Sequence, residues 1–233
     1  MNTRTKVLSL VYFLIGSVFI GLQDQPSFFP GLVTKTLIIP MLIIILIVNI
    51  RPLSNRLYWL MLAGLFFSWA GDVILEFYHR SGDLFIPGLV CFLLAHVMYL
   101  TVFLITPGKN SILHNRFYLA IPVLLYGAGL VYYLYNDLGS MRFPVILYAI
   151  VILTMLMSAI NRIEKVNHVS FYLVLSGAIL FVISDSAIAI NKFSHPFESS
   201  GVMIMSTYII AQFLIIVGYI KQFGEKHNGS IFK

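Results

Sequence analysis

Two aspartates stand where a carboxylate is costly: Asp72 in LFFSWAGDVILEF and Asp185 in GAILFVISDSAIAINKF, each late in a long apolar segment. Even the mildest insertion scale charges an ionised Asp at the centre of a membrane helix roughly 2.5–3.5 kcal/mol, so such residues face a bundle interior and a polar site. Two carboxyls walled by apolar side chains divide their labour. Desolvation keeps one neutral and able to donate a proton, while the other, paired with a cation, stays ionised. This is a pattern for general acid and base catalysis on a lipid, and equally for a proton-coupled transporter of small molecules or lipids using the same acids.

Few other polar residues share these segments. Lys35, in the second apolar segment, is the cation available to an ionised aspartate. Glu76 follows Asp72 by one helical turn and shares its face. His96 and Tyr99 in the fourth segment, and Tyr208 and Gln212 in the eighth, lie nearer the midplane, and Asn191 ends the seventh; with Lys35 and Glu76 these are the residues expected to bind substrate or support the acids. A hydrolytic zinc would need His79, His96 and His195 to join a carboxylate, yet no H-x-x-x-H or H-E-x-x-H spacing is present, so no metal is expected. Ser68 and Ser184 are close to the acids, but no G-x-S-x-G elbow marks a nucleophile.

The elements that position these groups follow from composition. Of 233 residues, 59% are hydrophobic and only 10% charged, and the mean hydropathy is +0.92, which excludes an ordinary soluble domain. A helix crossing the hydrocarbon needs about 20 apolar residues. Eight such stretches are present, near 6–22, 30–50, 57–77, 84–105, 116–135, 143–160, 170–191 and 200–220. The expected fold is therefore all-α: a single integral membrane domain over residues 1–233, an eight-helix bundle. The basic, apolar start resembles a secretory signal, but no small-x-small cleavage site follows, and it is read as the first helix. Cys91 is the lone cysteine, so no disulfide framework exists.

The net charge of +6 is a topology signal and not a nucleic-acid footprint. With an even helix count, one side of the membrane holds Arg4, Lys6, Arg51, Arg56, Lys109, Arg116, Arg162, Lys165, Lys221, Lys226 and Lys233, and the other only Arg80, Arg142 and Lys192. This bias predicts that both termini are cytoplasmic; the expected location is as a multi-pass protein of a bacterial cytoplasmic membrane. Asp72, Asp185 and Lys35 then fall at one depth in the outer half. The third and seventh segments also read alike, with Gly64 and Gly177 each eight residues before the aspartate and Gly71 and Ser184 immediately before it, as in a parallel four-plus-four repeat.

These residues form motifs: Gly71-Asp72-x-x-Leu75, Phe92-x-x-Ala95-His96-x-x-Tyr99, Ser184-Asp185-x-x-Ile188-Ala189 and Lys35-x-x-x-x-Pro40, the last with Thr36 in place of an expected proline. In kind and order they resemble the YhhN-like family of integral membrane lysoplasmalogenases. The resemblance implies hydrolysis of the vinyl ether bond of a lysoplasmalogen to a fatty aldehyde and a glycerophospho-ethanolamine or -choline, with no cofactor. For that reaction Asp72 and Asp185 are the expected catalytic pair, one protonating carbon and the other stabilising the cation and orienting water, with His96 and Tyr99 beside them or on the glycerol oxygens and Lys35 near the phosphate or as counter-ion. The partner is a membrane lipid, with the chain lodged among apolar side chains.

Overall fold

The computed structural model describes residues 2–23, 28–50, 56–81, 84–108 and 112–223. Arg51, Lys109, Lys226 and Lys233, four of the cations in the charge bias, lie outside these residues, as do the side chains of His79 and Arg80. The helices are α1 (Thr3–Leu22), α2 (Phe28–Asn49), α3 (Arg56–Ser81), α4 (Phe85–Ile105), the short α5 (Ile112–Asn115), α6 (Ile121–Leu134), α7 (Arg142–Ile160), α8 (His168–Phe193) and α9 (Ser200–Phe223). Eight helical stretches are long and apolar enough to cross a membrane, and no strand occurs among the described residues. The chain is a multi-pass, all-α membrane protein. The fifth and sixth spans each open on a 3-10 turn, Phe117–Ala120 and Gly139–Met141. Pro122 and Pro144 explain the placement, because a residue with no N–H is tolerated in the first turn of an α-helix and not deeper.

The chain divides into two compact units, one of residues 1–99 with 223–233 and one of residues 100–222. In the first unit α1 packs on α2 and α2 on α3. Each helix buries one stripe at helical spacing: Thr5, Ser9, Tyr12, Gly16 and Phe19 on α1, and Met61, Leu65, Ser68 and Asp72 on α3. The start of α1 is tied to the end of α2 by Thr5 Oγ1, which donates to Asn49 Oδ1 over 2.8 Å.

Pro40 sets the register of α2 against α3. Lacking an N–H, it leaves the carbonyl of Thr36, four residues earlier, without its helical donor. The indole N–H of Trp69 on α3 donates to that carbonyl over 3.1 Å. Neighbouring helices are what make an intramembrane proline tolerable. Between α3 and α4, glycine lets the backbones approach: a Cβ at Gly64 would sit 2.6 Å from the ring of Tyr99, and one at Gly71 would sit 2.7 Å from that of Phe92. Both pairs are seven residues apart on their own helices, so the contacts repeat every two turns.

In the second unit α6 packs on α7 and α8, and α7 on α8. Gly177 on α8 admits the backbone of α9, with the Ala211 carbonyl 2.8 Å from where its Cβ would be. Gly64 and Gly177, matched in the sequence, thus each admit the helix that follows. Beyond α7, Arg162 is almost fully buried. One terminal nitrogen donates to Ser170 Oγ at 3.2 Å and to Gln222 Oε1 at 2.6 Å, and the guanidinium lies 5.2 Å from the centre of the Phe103 ring. Burial among neutral partners pulls its pKa down to about 10.

Candidate functional site

Two groups of polar residues lie inside otherwise apolar helices, one in each unit. The first is built on α2, α3 and α4. Register set by Pro40 and Trp69 brings Lys35 of α2 to Glu76 of α3, two turns beyond Trp69, with Nζ to Oε2 at 3.1 Å. Both side chains are largely buried, and the ammonium also lies 5.5 Å from the ring centre of Phe19. The ion pair of Lys35 is with Glu76, where the sequence pointed to an aspartate; the carboxylate one turn further along α3 meets the α2 lysine at its own depth. Asp72 is 2% exposed, on the buried stripe of α3. The Tyr12 hydroxyl of α1 interacts electrostatically with Asp72 and with Tyr99. Tyr99 and His96 are fully buried on one face of α4. Tyr12 had no signal in the sequence, because a tyrosine in a first apolar segment reads as an interfacial aromatic.

The second group surrounds Asp185. Its Oδ2 accepts the hydroxyl hydrogen of Tyr148 on α7 over 2.5 Å. Next to Asp185 in the chain, Ser186 Oγ accepts from the Tyr126 hydroxyl of α6 at 2.8 Å and donates to the Val182 carbonyl at 2.7 Å. Tyr126, Tyr148, Asp185 and Ser186 line a cleft of about 50 Å³ between α6, α7 and α8. The rest of its wall is aliphatic or small, including Gly127, Leu130, Ile152, Leu153 and Val182. Asp185 is half-buried there, so its carboxyl meets the cleft.

The remaining residues expected at a site lie on α8 and α9. Tyr208 is buried and packs edge-on against Phe181, with ring centres 5.5 Å apart. Gln212 is fully buried on α9. Asn191 Oδ1 accepts the N–H of Phe197 at 3.3 Å, securing the turn that leaves α8. Ser184 Oγ donates to the Ile204 carbonyl at 3.0 Å, which ties α8 to α9. Among the described residues, no group of three or more His, Cys, Asp or Glu side chains gathers in a metal-binding arrangement.

Chemically, the cleft offers one carboxyl in apolar surroundings with a hydroxyl donating to a defined oxygen. Because Oδ2 accepts from Tyr148, Oδ1 is the oxygen on which a transferable proton would reside. The cleft sets this carboxyl against an aliphatic wall of the kind that apolar ligands use.

The sequence is similar to those of known proteins. Lysoplasmalogenase TMEM86A of Bos taurus is 31% identical over 176 residues, covering 73% of this chain and 68% of its own length. Lysoplasmalogenase TMEM86B of Sus scrofa is 28% identical over 205 residues, 88% of this chain and 80% of its own. A lysoplasmalogenase of Mycobacterium bovis is 27% identical over 172 residues, 72% of this chain and 63% of its own. No solved structure matches. The sequence matches the YhhN family over residues 31–219, a run that holds Lys35, Asp72, His96, Tyr148 and Asp185. On that match, the chain belongs to the YhhN family.

Proposed function

We propose that this protein is a lysoplasmalogenase-like hydrolase that cleaves the vinyl ether bond of a lysoplasmalogen, releasing a fatty aldehyde and a glycerophospho-ethanolamine or -choline. The observation that carries the reading is the Asp185 carboxyl, bonded to Tyr148 in an apolar cleft, in a family whose relatives include named lysoplasmalogenases.

Vinyl ether hydrolysis begins with protonation of the β-carbon. The C=C electron pair takes the proton, leaving an oxocarbenium ion; water adds to it, and the hemiacetal collapses to aldehyde and alcohol. The first step needs a positioned acid, and the cation needs a nearby anion once the acid has given up its proton. Asp185 is assigned as the proton donor through Oδ1. Its conjugate base, held by the Tyr148 hydroxyl, then stabilises the cation and accepts a proton from the attacking water. Asp72 is assigned as the second acidic group on which turnover depends, with the Tyr12 hydroxyl of the first unit as its electrostatic partner.

The test is mass spectrometry of the purified protein incubated with a lysoplasmalogen and, separately, with an ester lysolipid. Fatty aldehyde from the first alone is the expected result. Free fatty acid from the second redirects the assignment to an esterase, and movement of lipid across proteoliposomes without aldehyde redirects it to a carrier.

A further inference from the structure

The cleft around Asp185 ends in a polar rim that the reaction above does not use. Its apolar wall runs out at Leu134 on α6, Val145 on α7 and Ala189 on α8. Past that edge, Ser194 Oγ lies 2.7 Å from His195 Nδ1 and donates to the Tyr133 hydroxyl over 3.2 Å. The Tyr133 hydroxyl is itself 3.4 Å from the same ring nitrogen, so three residues from two elements form one cluster. Arg142 stands on the same rim at the start of α7: its guanidinium lies 4.5 Å from the centre of the Tyr135 ring, and Nε donates to the Tyr135 carbonyl over 3.2 Å. All of these groups except Ser194 are exposed.

We propose that this rim, Arg142 with the Tyr133–Ser194–His195 cluster, binds the phosphate of the lysolipid whose vinyl ether end enters the cleft. The inference rests on reading the cleft as the substrate's site. Guanidinium, hydroxyl and imidazole N–H groups are the donors a phosphodiester takes. Length agrees: Arg142 precedes Tyr148 by six residues, a rise of about 9 Å along α7, close to the reach from the β-carbon to the phosphorus of an extended vinyl ether lysolipid. A proton donor at Asp185 and a phosphate at the rim can therefore engage one molecule. Sign of charge favours a lipid over a free anion, because the links that form the rim also carry the exposed acids Asp137 and Glu198. Their repulsion opposes inorganic phosphate, whereas the chain's anchorage in the surrounding apolar phase holds a lipid phosphate at that level.

Binding of a saturated-ether lysophosphocholine, which is not hydrolysed, is compared with that of the matching alkylglycerol, using the full chain in detergent micelles. The Arg142→Gln/His195→Gln variant is expected to bind the phosphate-bearing ligand about tenfold more weakly, a change of about 1.4 kcal/mol, and the alkylglycerol as the wild type does. Equal weakening of both ligands, or no weakening of either, overturns the proposal. So does displacement of the bound lysolipid by inorganic phosphate at matched ionic strength, which would make the rim a site for the free anion. An unchanged melting temperature of this exposed pair of substitutions excludes misfolding. Because binding is read without turnover, a protein that makes no aldehyde yet loses phosphate-dependent binding in the variant retains this rim assignment while losing the reaction proposed above.

Discussion

The Tyr148 hydroxyl donates to Asp185 Oδ2 across 2.5 Å, joining α7 to α8 at the wall of an apolar cleft. On the mechanism proposed above, the bond leaves Oδ1 to carry the proton, and Tyr148 positions the acid without itself reacting. A hydrogen bond to a charged partner contributes about 1.5–3 kcal/mol. Tyr148→Phe is expected to lower kcat by roughly tenfold to a hundredfold with KM little changed, since the ring still fills its space. Steady-state kinetics of aldehyde release check this, and a change confined to KM would contradict it.

Lys35 and Glu76 form an ion pair within the first unit. Removing one partner of a buried pair strands the other and costs up to about 3 kcal/mol, whereas replacing both with apolar groups costs much less. Glu76→Gln is therefore expected to lower the melting temperature in micelles, and Lys35→Met/Glu76→Leu to recover most of the loss. Additive losses in that double-mutant cycle would mean that the pair has no coupling.

The Trp69 indole bond to the Thr36 carbonyl compensates for Pro40. Trp69→Phe is expected to destabilise the first unit by about 1 kcal/mol and to weaken the coupling measured between Lys35 and Glu76, because the register of α2 on α3 loosens. Thermal unfolding combined with the double-mutant cycle reads both effects.

Gly177 and Gly129 make opposite predictions. A Cβ at Gly177 meets the Ala211 carbonyl at 2.8 Å, a backbone atom that cannot swing aside, whereas nothing lies within 4 Å of one at Gly129. Gly177→Ala is expected to destabilise by about 1–3 kcal/mol, and Gly129→Ala to be neutral or to stabilise by up to about 1 kcal/mol through helix propensity. Their order in thermal unfolding tests the packing of α8 on α9.

The spans were legible in the sequence because crossing a bilayer demands long apolar runs, and few charges interrupt them. The Asp72–Glu76 face was legible for a similar reason: residues four apart share a helix side. The partners of these groups were not. Tyr12, Tyr126 and Tyr148 are contributed by other helices, and in an apolar helix a tyrosine serving a carboxyl has the same local pattern as one at the membrane interface. The pairing of Lys35 with Glu76 depends on helix register, which Pro40 sets through a carbonyl thirty-three positions from its indole donor. His195 reads as an ordinary loop histidine until α6 brings Tyr133 to Ser194.

The most direct test of the central assignment is aldehyde release from a vinyl ether lysolipid by purified Asp185→Asn protein, with binding of the saturated-ether analogue measured alongside. General acid catalysis contributes about 10²–10⁴-fold, and the amide cannot supply the proton. The predicted result is a loss of that order in turnover with analogue binding retained; aldehyde released at the wild-type rate would contradict the assignment.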